Sequence, residues 1–472
     1  MQENKRVIHI LIAICLLFFT LISYLTYFEL FTRNTVVNNS YNKRLWEKEN
    51  ETERGNIYDR NGVLLAKNVM SGDNSERVYP YGSLYSHVIG YNSRTYGRSL
   101  IEAEFNNYLL NSNELSSVFD LKYKLTGAKK SGNNLYLTIN HKLQAKAKEL
   151  LAGKTGAVIA INPKTGEILA MVSKPDFDPN EKNLLQNWKD LVDAEDSPFL
   201  PRTIQGLYAP GSTFKIVISS SAIENGMENL TLDDSGSIVI DGQEISNYNR
   251  KAHGIINLKD ALTLSSNTFF SQLGVKLGNK NLKYITDKMG MNKSIPFQIP
   301  VKSSLFPYES MSKSDMAAVG IGQGKILVSP LHMALITSSI ANNGVMMKPI
   351  LVNKAISSNG NIVETWNPDA MNKVMQPETA QKVKKMMIDV VNKGTGKKAK
   401  LRGINVAGKT GTAENELTTK ENDKEHAWFV GFAPAENPKI VTVVILEYNG
   451  STGGTAAAPV ARDLMESYLK KQ

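Results

Sequence analysis

Hydrophobic and polar positions give this chain three textures, and the first boundary is abrupt. Residues 7–28 contain no Asp, Glu, Lys or Arg and are dominated by Leu, Ile and Phe. As a helix this run extends about 33 Å, enough to cross a bilayer core. Residues 34–132 are polar and broken, with two ordered islands. Within residues 54–66, Asn61-Gly62 lies between alternating apolar flanks and marks a hairpin turn, around which the Arg and Asp side chains are expected to form salt bridges. Within residues 97–110, Ile101, Glu102 and Phe105 fall at helical spacing. Residues 111–134, rich in Lys, Ser, Asn and Gly, read as a linker.

From Leu135 the pattern becomes dense and regular. Residues 141–151 form an amphipathic helix on Leu143, Ala147, Leu150 and Leu151. The continuous apolar runs 157–161 and 168–172 are buried strands of a hairpin, joined by Asn162-Pro163-Lys164-Thr165-Gly166-Glu167. Helical stretches follow at 216–224, 258–277 and 330–341. Strands return at 428–432 and 439–446, and a helix over 459–469 closes the chain. Strands at both ends with helices between them predict one antiparallel sheet assembled from distant segments, an α+β layer fold.

Composition narrows the class. A chain of 472 residues holds more than one domain, and 42% apolar with 21% charged residues is ordinary globular content. The net charge of +10 comes from scattered residues, with no Lys/Arg block interleaved with aromatics, so nucleic acid is not an expected partner. An anionic lipid surface or polymer suits that charge equally well. A single cysteine, Cys15, excludes an internal disulfide and any cysteine-based metal site. Lys5 and Arg6 before the apolar run favour a cytoplasmic N-terminus. The run is too long for a signal peptide and no small-residue cleavage pair follows it. It is expected to be an uncleaved anchor, with everything after about residue 30 outside the cytoplasm.

Candidate chemistry centres on Tyr208-Ala209-Pro210-Gly211-Ser212-Thr213-Phe214-Lys215. Pro and Gly break the preceding chain, and helix is tolerated from Ser212 onward. Ser and Lys three residues apart on a helix share a face, so hydroxyl and amine can meet. A lysine partly buried near a helix N-terminus can lose its proton and act as a base. Ser-x-x-Lys is cheap by itself and recurs at Ser40, Ser310 and Ser467. Lys-Thr-Gly occurs at Lys154, Lys164 and Lys409, the first a strand entry and the second a hairpin turn. Ser265-Ser266-Asn267 is matched by Ser357-Ser358-Asn359 in a turn. Order carries more weight: Ser212 opens its helix, Ser265-Ser266-Asn267 follows, and Lys409-Thr410-Gly411-Thr412 comes last. No Gly-x-Ser-x-Gly elbow surrounds a serine, His253 and His426 read as structural or loop residues, and no spacing calls for a metal.

This ordered trio resembles the signature of penicillin-binding proteins and class A β-lactamases, with Ser266 in place of the usual Asp. The chain beyond the anchor is similar throughout to class B penicillin-binding proteins, membrane-anchored transpeptidases of peptidoglycan synthesis. The resemblance is carried by residues 54–66, 208–215, 253–258, 322–324, 407–413 and 427–434. Pro201 departs from it, standing before Arg202 where the family usually has Asn. The resemblance implies a penicillin-binding/β-lactamase-like domain over 133–472, with an antiparallel sheet flanked by helices and a helical subdomain. It implies a non-catalytic N-terminal domain of pedestal or dimerisation type over 31–132, and a cytoplasmic tip plus anchor over 1–30.

Residue by residue, it makes Ser212 the nucleophile on the penultimate D-Ala carbonyl and Lys215 its base. Ser265 relays the proton to the leaving amine, and Asn267 donates to the substrate amide carbonyl. Lys409 keeps the local potential positive, while Thr410 and Thr412 hold the terminal carboxylate. Gly411 leaves room for the substrate backbone, and the N–H groups of Ser212 and Thr412 form the oxyanion hole. Stem peptides ending in D-Ala-D-Ala are the implied substrates, β-lactams the covalent inhibitors, and a membrane glycosyltransferase of the FtsW/RodA type the implied partner; no cofactor is implied. A β-lactamase or β-lactam sensor shares the trio, but the Glu-x-x-Leu-Asn pattern of class A β-lactamases is absent. A D,D-carboxypeptidase and a non-catalytic wall-synthesis scaffold are the remaining alternatives.

Overall fold

The computed structural model describes residues 2–32, 52–71, 74–111, 130–415, 418 and 424–470. Helix α1 (Gln2–Tyr27) belongs to a stretch, Lys5–Thr32, long and apolar enough to cross a membrane. A helix in a soluble core hides one face; here Leu17 and Phe19 are each 71% exposed and none of the apolar window is buried.

The two N-terminal islands fold onto one another. Ile57–Tyr58 pairs antiparallel with Leu64–Ser71 across the Asn61-Gly62 turn, where Gly62 takes φ +84°. The expected Arg–Asp salt bridges are not what holds this turn. Asp59 accepts instead from the backbone N–H of Asn61 and Val63 (2.8 Å each) and of His141 (3.1 Å). Arg54 reaches into the second island, where its guanidinium lies 2.6 Å from the Glu102 carboxylate. Arg77 donates to the other oxygen of Glu102 at 2.7 Å, and Tyr79 adds its hydroxyl at 3.2 Å. Glu102 has no exposed surface. Burial alone would raise its pKa, but the two guanidinium groups and their hydrogen bonds pull it down to about 2.

Six strands form the N-terminal sheet, in the order 362–365, 352–356, 134–137, 57–58, 64–71, 74–78. Residues 134–137 pair parallel with 57–58 and antiparallel with 352–356, so this sheet draws strands from both sides of position 132. Most of the expected linker, residues 112–129, lies outside the described residues. Its far end does not behave as a linker: Lys130–Ser131 pairs parallel with Thr52–Glu53.

Farther on, the chain makes a hairpin of β1 (Gly156–Ile161) and β2 (Ile168–Lys174), then helix α2 (Lys215–Glu224). A ribbon of β3 (Thr231–Asp234) and β4 (Gly254–Asn257) leads into helices α3 (Leu258–Leu264) and α4 (Asn267–Lys288). The chain returns through β5 (Ala407–Ala413), β6 (His426–Ala433), β7 (Ile440–Leu446) and the final helix α5 (Gly453–Leu469). Strands β2-β1-β7-β6-β5 form one sheet, antiparallel throughout, with β5 at an edge.

Each central strand is apolar on both faces because both faces are covered. Along β1, Ala157, Ile159 and Ile161 enter one core with α2, α4 and helix Pro330–Ala341. Val158 and Ala160 enter a second core with α5 and helix His141–Leu150. Period-2 side-chain alternation thus feeds two hydrophobic layers from one strand.

Two boundaries differ from the sequence reading. The expected helix over 258–277 is broken in two, because Ser265 adopts φ +61° and ends α3, and Ser266 caps α4 by accepting from Phe269 N. Apolar spacing runs unbroken through this point, so the pattern hid the break. The closing helix starts at Gly453 rather than Pro459; Pro459 lies inside it, flanked by the buried residues Ala457, Ala458, Val460 and Ala461.

Replacing Glu102 removes the buried carboxylate that Arg54 and Arg77 share. Glu102→Ala is expected to destabilise the N-terminal sheet by about 3–5 kcal/mol, read as a lowered thermal unfolding midpoint of the detergent-solubilised chain. In the parent, the stabilisation from Glu102 is complete above the ordinary carboxylate pKa of 4.5 and is lost as pH falls through about 2. The gap between parent and variant therefore narrows in acid.

Candidate active site

Ser212 lies in a single tight turn, Gly211–Phe214, of 3₁₀ type, and the α-helix proper begins only at Lys215. In a 3₁₀ turn residues i and i+3 eclipse, which stacks position 212 over position 215. Ser212 is half-buried and Lys215 has no exposed surface. The Lys215 amine donates to Ser265 O at 2.8 Å and to Asn267 Oδ1 at 2.7 Å, and sits 3.4 Å from the Ser265 hydroxyl. The break between α3 and α4 makes this possible: left-handed Ser265 turns both its carbonyl and its hydroxyl toward the amine. The Ser266 hydroxyl caps α4 by accepting from Phe269 N at 3.0 Å and lies 3.2 Å from the Thr268 hydroxyl.

Lys409 comes from the sheet edge. Its amine donates to the Ser265 hydroxyl at 2.8 Å and to Thr410 O at 2.9 Å, again with no exposed surface. Two amines therefore flank one serine hydroxyl. Burial pulls the Lys215 pKa far below the ordinary lysine value, the Lys409 charge pulls it further, and Asp234 opposes both. Burial brings Lys409 down to about 7.

The Ser212 turn is pressed against β5. A Cβ on Gly211 would lie 2.5 Å from Thr412 O, and one on Gly411 would lie 2.8 Å from Thr213 Cγ2. This gives Gly411 a structural reason beside the expected one: the bare backbone at 411 lets the strand close on the turn that carries Ser212. Gly211 N donates to Gly322 O at 2.9 Å, which places the 322–324 motif behind the same turn. Trp428 Nε1 on β6 donates to Ala209 O at 3.1 Å. The trio predicted from sequence is thus assembled: Lys215, Ser265, Asn267 and Lys409 by direct hydrogen bonds, Ser212 by its turn against Gly411 and Thr412.

Thr410 Oγ1 lies 2.6 Å from Thr395 Oγ1, a residue the sequence reading passed over because Gly394-Thr395-Gly396 looks like a helix-ending loop. Thr412 Oγ1 lies 3.5 Å from Gly453 N at the start of α5. Arg202 is a brace: it pairs with Glu447 at 2.8 Å and donates to the carbonyls of Asp196 (2.6 Å) and Ser197 (3.1 Å). Also unforeseen are the buried Asp234 and its partner Asn247, which stand behind Asn267.

Comparison with known proteins fits this geometry. Residues 156–466 match the penicillin-binding protein transpeptidase domain, and residues 54–135 match the penicillin-binding protein A dimerisation domain. The chain belongs to the class B penicillin-binding proteins. Peptidoglycan D,D-transpeptidase PbpA of Mycolicibacterium smegmatis is 30% identical over 99% of both chains. Stage V sporulation protein D of Bacillus subtilis is 32% identical over 86% of this chain and 66% of its own. Penicillin-binding protein A of Mycobacterium tuberculosis, solved as a ceftriaxone acyl-enzyme complex, superposes with a TM-score of 0.84 at 31% identity, covering 89% of this chain and 99% of its own. The same protein as a penicillin G acyl-enzyme complex gives 0.82 at 30% identity, with 89% and 100% covered.

In this penicillin-binding protein the buried lysines carry a stability cost with a defined pH window. Below about pH 7 Lys409 is charged both folded and unfolded, and its burial cost is borne in full. As pH rises from about 7 toward 10.5 the folded state loses this proton first, and the cost fades. Lys409→Met is therefore expected to unfold at a higher temperature than the parent near pH 6. Thermal melts should show that advantage shrinking as pH approaches 10.

Proposed function

We propose that this chain cross-links peptidoglycan stem peptides as a serine D,D-transpeptidase, through an acyl-enzyme on Ser212 that β-lactams also form. The observation that carries the reading is the placement of the Lys215 amine, fully buried one turn from Ser212 and facing Ser265 O and Asn267 Oδ1. Burial draws this amine toward its uncharged form, in which its two hydrogens match the two acceptors Ser265 O and Asn267 Oδ1. Its lone pair is left to receive a proton, which is what a base beside Ser212 needs.

The roles follow from that placement. Ser212 Oγ attacks the carbonyl of the penultimate D-Ala as Lys215 takes its proton. Ser265, held between both amines, passes a proton to the departing D-Ala nitrogen. One Nδ2 hydrogen of Asn267 is used by Ser246 O at 2.8 Å, and the second is available to the substrate's amide carbonyl. Lys409, with Thr410 and Thr412, receives the terminal carboxylate, and Thr395 extends that hydroxyl cluster. The N–H groups of Ser212 and Thr412 stabilise the oxyanion, a contribution of about 3–4 kcal/mol per donor. An acceptor amine then takes the acyl group, restoring the Ser212 hydroxyl.

Transpeptidation is favoured over simple hydrolysis by the anchor and by the 54–135 region, which a soluble carboxypeptidase or β-lactamase does not require. On this reading residues 1–30 anchor the chain with its N-terminus in the cytoplasm, 31–132 form a non-catalytic domain, and 133–472 work outside the membrane. A polymerase of the FtsW/RodA type supplies the glycan strands and is met through the anchor and the N-terminal domain.

Labelling with a fluorescent penicillin tests the chemistry. Wild type is expected to take one covalent label per chain and Ser212→Ala none; an unlabelled wild type would leave a scaffold role only. The partnership is tested by co-purification of the polymerase with the full chain and with a chain lacking residues 1–132. Recovery is expected from the full chain alone, and equal recovery from both rejects the contact.

A further inference from the structure

Asp234 ends β3 with no exposed surface. Its Oδ1 accepts from the Thr268 hydroxyl at 2.6 Å, from Asn247 Nδ2 at 2.5 Å and from Gly236 N at 3.2 Å. A carboxylate can only accept, so it dictates that Asn247 turn its amide nitrogen inward. The second Nδ2 hydrogen of Asn247 goes to Lys251 O at 2.8 Å. Asn247 Oδ1 consequently faces α4 and accepts from the N–H groups of Asn267 (2.7 Å) and Thr268 (3.1 Å), two donors that a helix start leaves unpaired. The adjoining carbonyl, Ser246 O, accepts from Asn267 Nδ2 at 2.8 Å, which turns Asn267 Oδ1 to the Lys215 amine at 2.7 Å.

We propose that Asp234, acting through Asn247, is a positioning residue for acylation: it sets the orientation of the Asn267 carboxamide against the Lys215 amine. The inference rests on the acyl-enzyme reading above and assigns to it a residue that never touches substrate. Reversing the Asn247 amide would aim an NH₂ group at two N–H donors and its oxygen at the acceptor-only Asp234, so the carboxylate and the helix start select the same orientation. A helix cap alone would not need a buried anion, since Ser266 already caps Phe269 N and a neutral acceptor would serve beside it. Burying a carboxylate is costly unless it is well bonded. Burial would raise the Asp234 pKa, but hydrogen bonding, led by the Thr268 hydroxyl, outweighs it and holds the group below the ordinary carboxylate value. All three bonds fall on Oδ1, and Oδ2 has no partner among the described residues.

The charge has a second effect. The titratable groups that act on Lys215 are Lys409 on β5 and Asp234 on β3. The break between α3 and α4 presents Ser265 and Asn267 to the amine, and α4 adds the Phe270 ring at 5.4 Å, none of which titrates. Lys409 drives Lys215 toward its neutral form and Asp234 resists, so the carboxylate limits how far the base strength of Lys215 falls.

The test is penicillin acylation of the full-length protein in detergent, followed against concentration and pH, with a thermal melt of each variant. Wild type must acylate; if it does not, the acyl-enzyme reading fails before this one is reached. In Asp234→Asn the volume is kept and the directing anion is lost. The limiting acylation rate is expected to fall about 10²-fold, the scale of a misplacement near 1 Å, while the half-saturating concentration stays within about twofold. The acid limb of the pH profile moves to lower pH, because Lys215 no longer feels the negative charge. The swap Asp234→Asn with Asn247→Asp restores a donor facing an acceptor and keeps an anion near the amine. It is expected to recover at least about tenfold of the lost rate and to return the acid limb toward its wild-type position. Three results overturn the proposal: a wild-type rate in Asp234→Asn, a lost rate with the acid limb unmoved, or a folded swap no faster than the single variant. Should Asp234→Asn not fold, the swap decides against wild type: a rate within about tenfold supports the proposal, and about 10²-fold lower with an intact melt rejects it.

Discussion

Two lysine ammonium groups inside a protein core repel each other and forgo water, and the catalytic half of this molecule is organised around tolerating that arrangement. Neither Lys215 nor Lys409 has exposed surface, and each amine is instead given two oxygen acceptors within 2.9 Å. Burial of this kind costs several kcal/mol per charge, and it pulls both amines toward the uncharged form. Lys215, which the Lys409 charge pulls further in the same direction, stands a single turn from Ser212. On the proposed reading, the reactivity of Ser212 and the cost of burying the lysines are two sides of the same electrostatic problem.

Holding the amines in place requires elements that are remote in sequence. Lys215 rides on α2, and Lys409 on a strand almost two hundred residues later, at the edge of a sheet whose other strands are covered on both faces. Between them, α3 and α4 would form one continuous helix but for Ser265. A serine at φ +61° costs about 1–3 kcal/mol where no glycine relieves it, and the return is two oxygens aimed at the lysines from one residue. Here the strain sits at the point where regular structure would have pointed the hydroxyl elsewhere.

The elements legible in the sequence were those with strong periodicity. Continuous apolar runs announced β1, β2 and the strand pair at 428–446, and their distance apart in sequence implied a single sheet. The trio of motifs was legible through its order, since each motif alone recurs by chance. The break at Ser265 was invisible because hydrophobic spacing continues across it, and only the dihedral angle marks it. Asp234, Asn247 and Thr395 were invisible for a different reason. Their contribution lies in which way a polar atom faces, and no spacing rule carries that information. The pairing of Arg54 with Glu102 was missed because a local reading looked for partners within the hairpin, whereas a buried cation is matched across the fold.

The division at residue 132 that polarity suggests is not a hinge in the structure. Residues 134–137 are a strand of the N-terminal sheet, and the next residue, Thr138, places its hydroxyl 2.8 Å from both Ile168 O and Ile350 O. Three residues later begins helix His141–Leu150, whose first N–H is held by Asp59 of the N-terminal hairpin. Arg60, at the tip of that hairpin, lies 3.4 Å from Glu167 in the turn before β2. Strands 352–356 and 362–365 then enter the same sheet from the far side of α4. A small domain tethered by one flexible segment could rotate freely above the membrane. One stitched in through a shared sheet, a helix cap and an ion pair must carry the catalytic sheet with it.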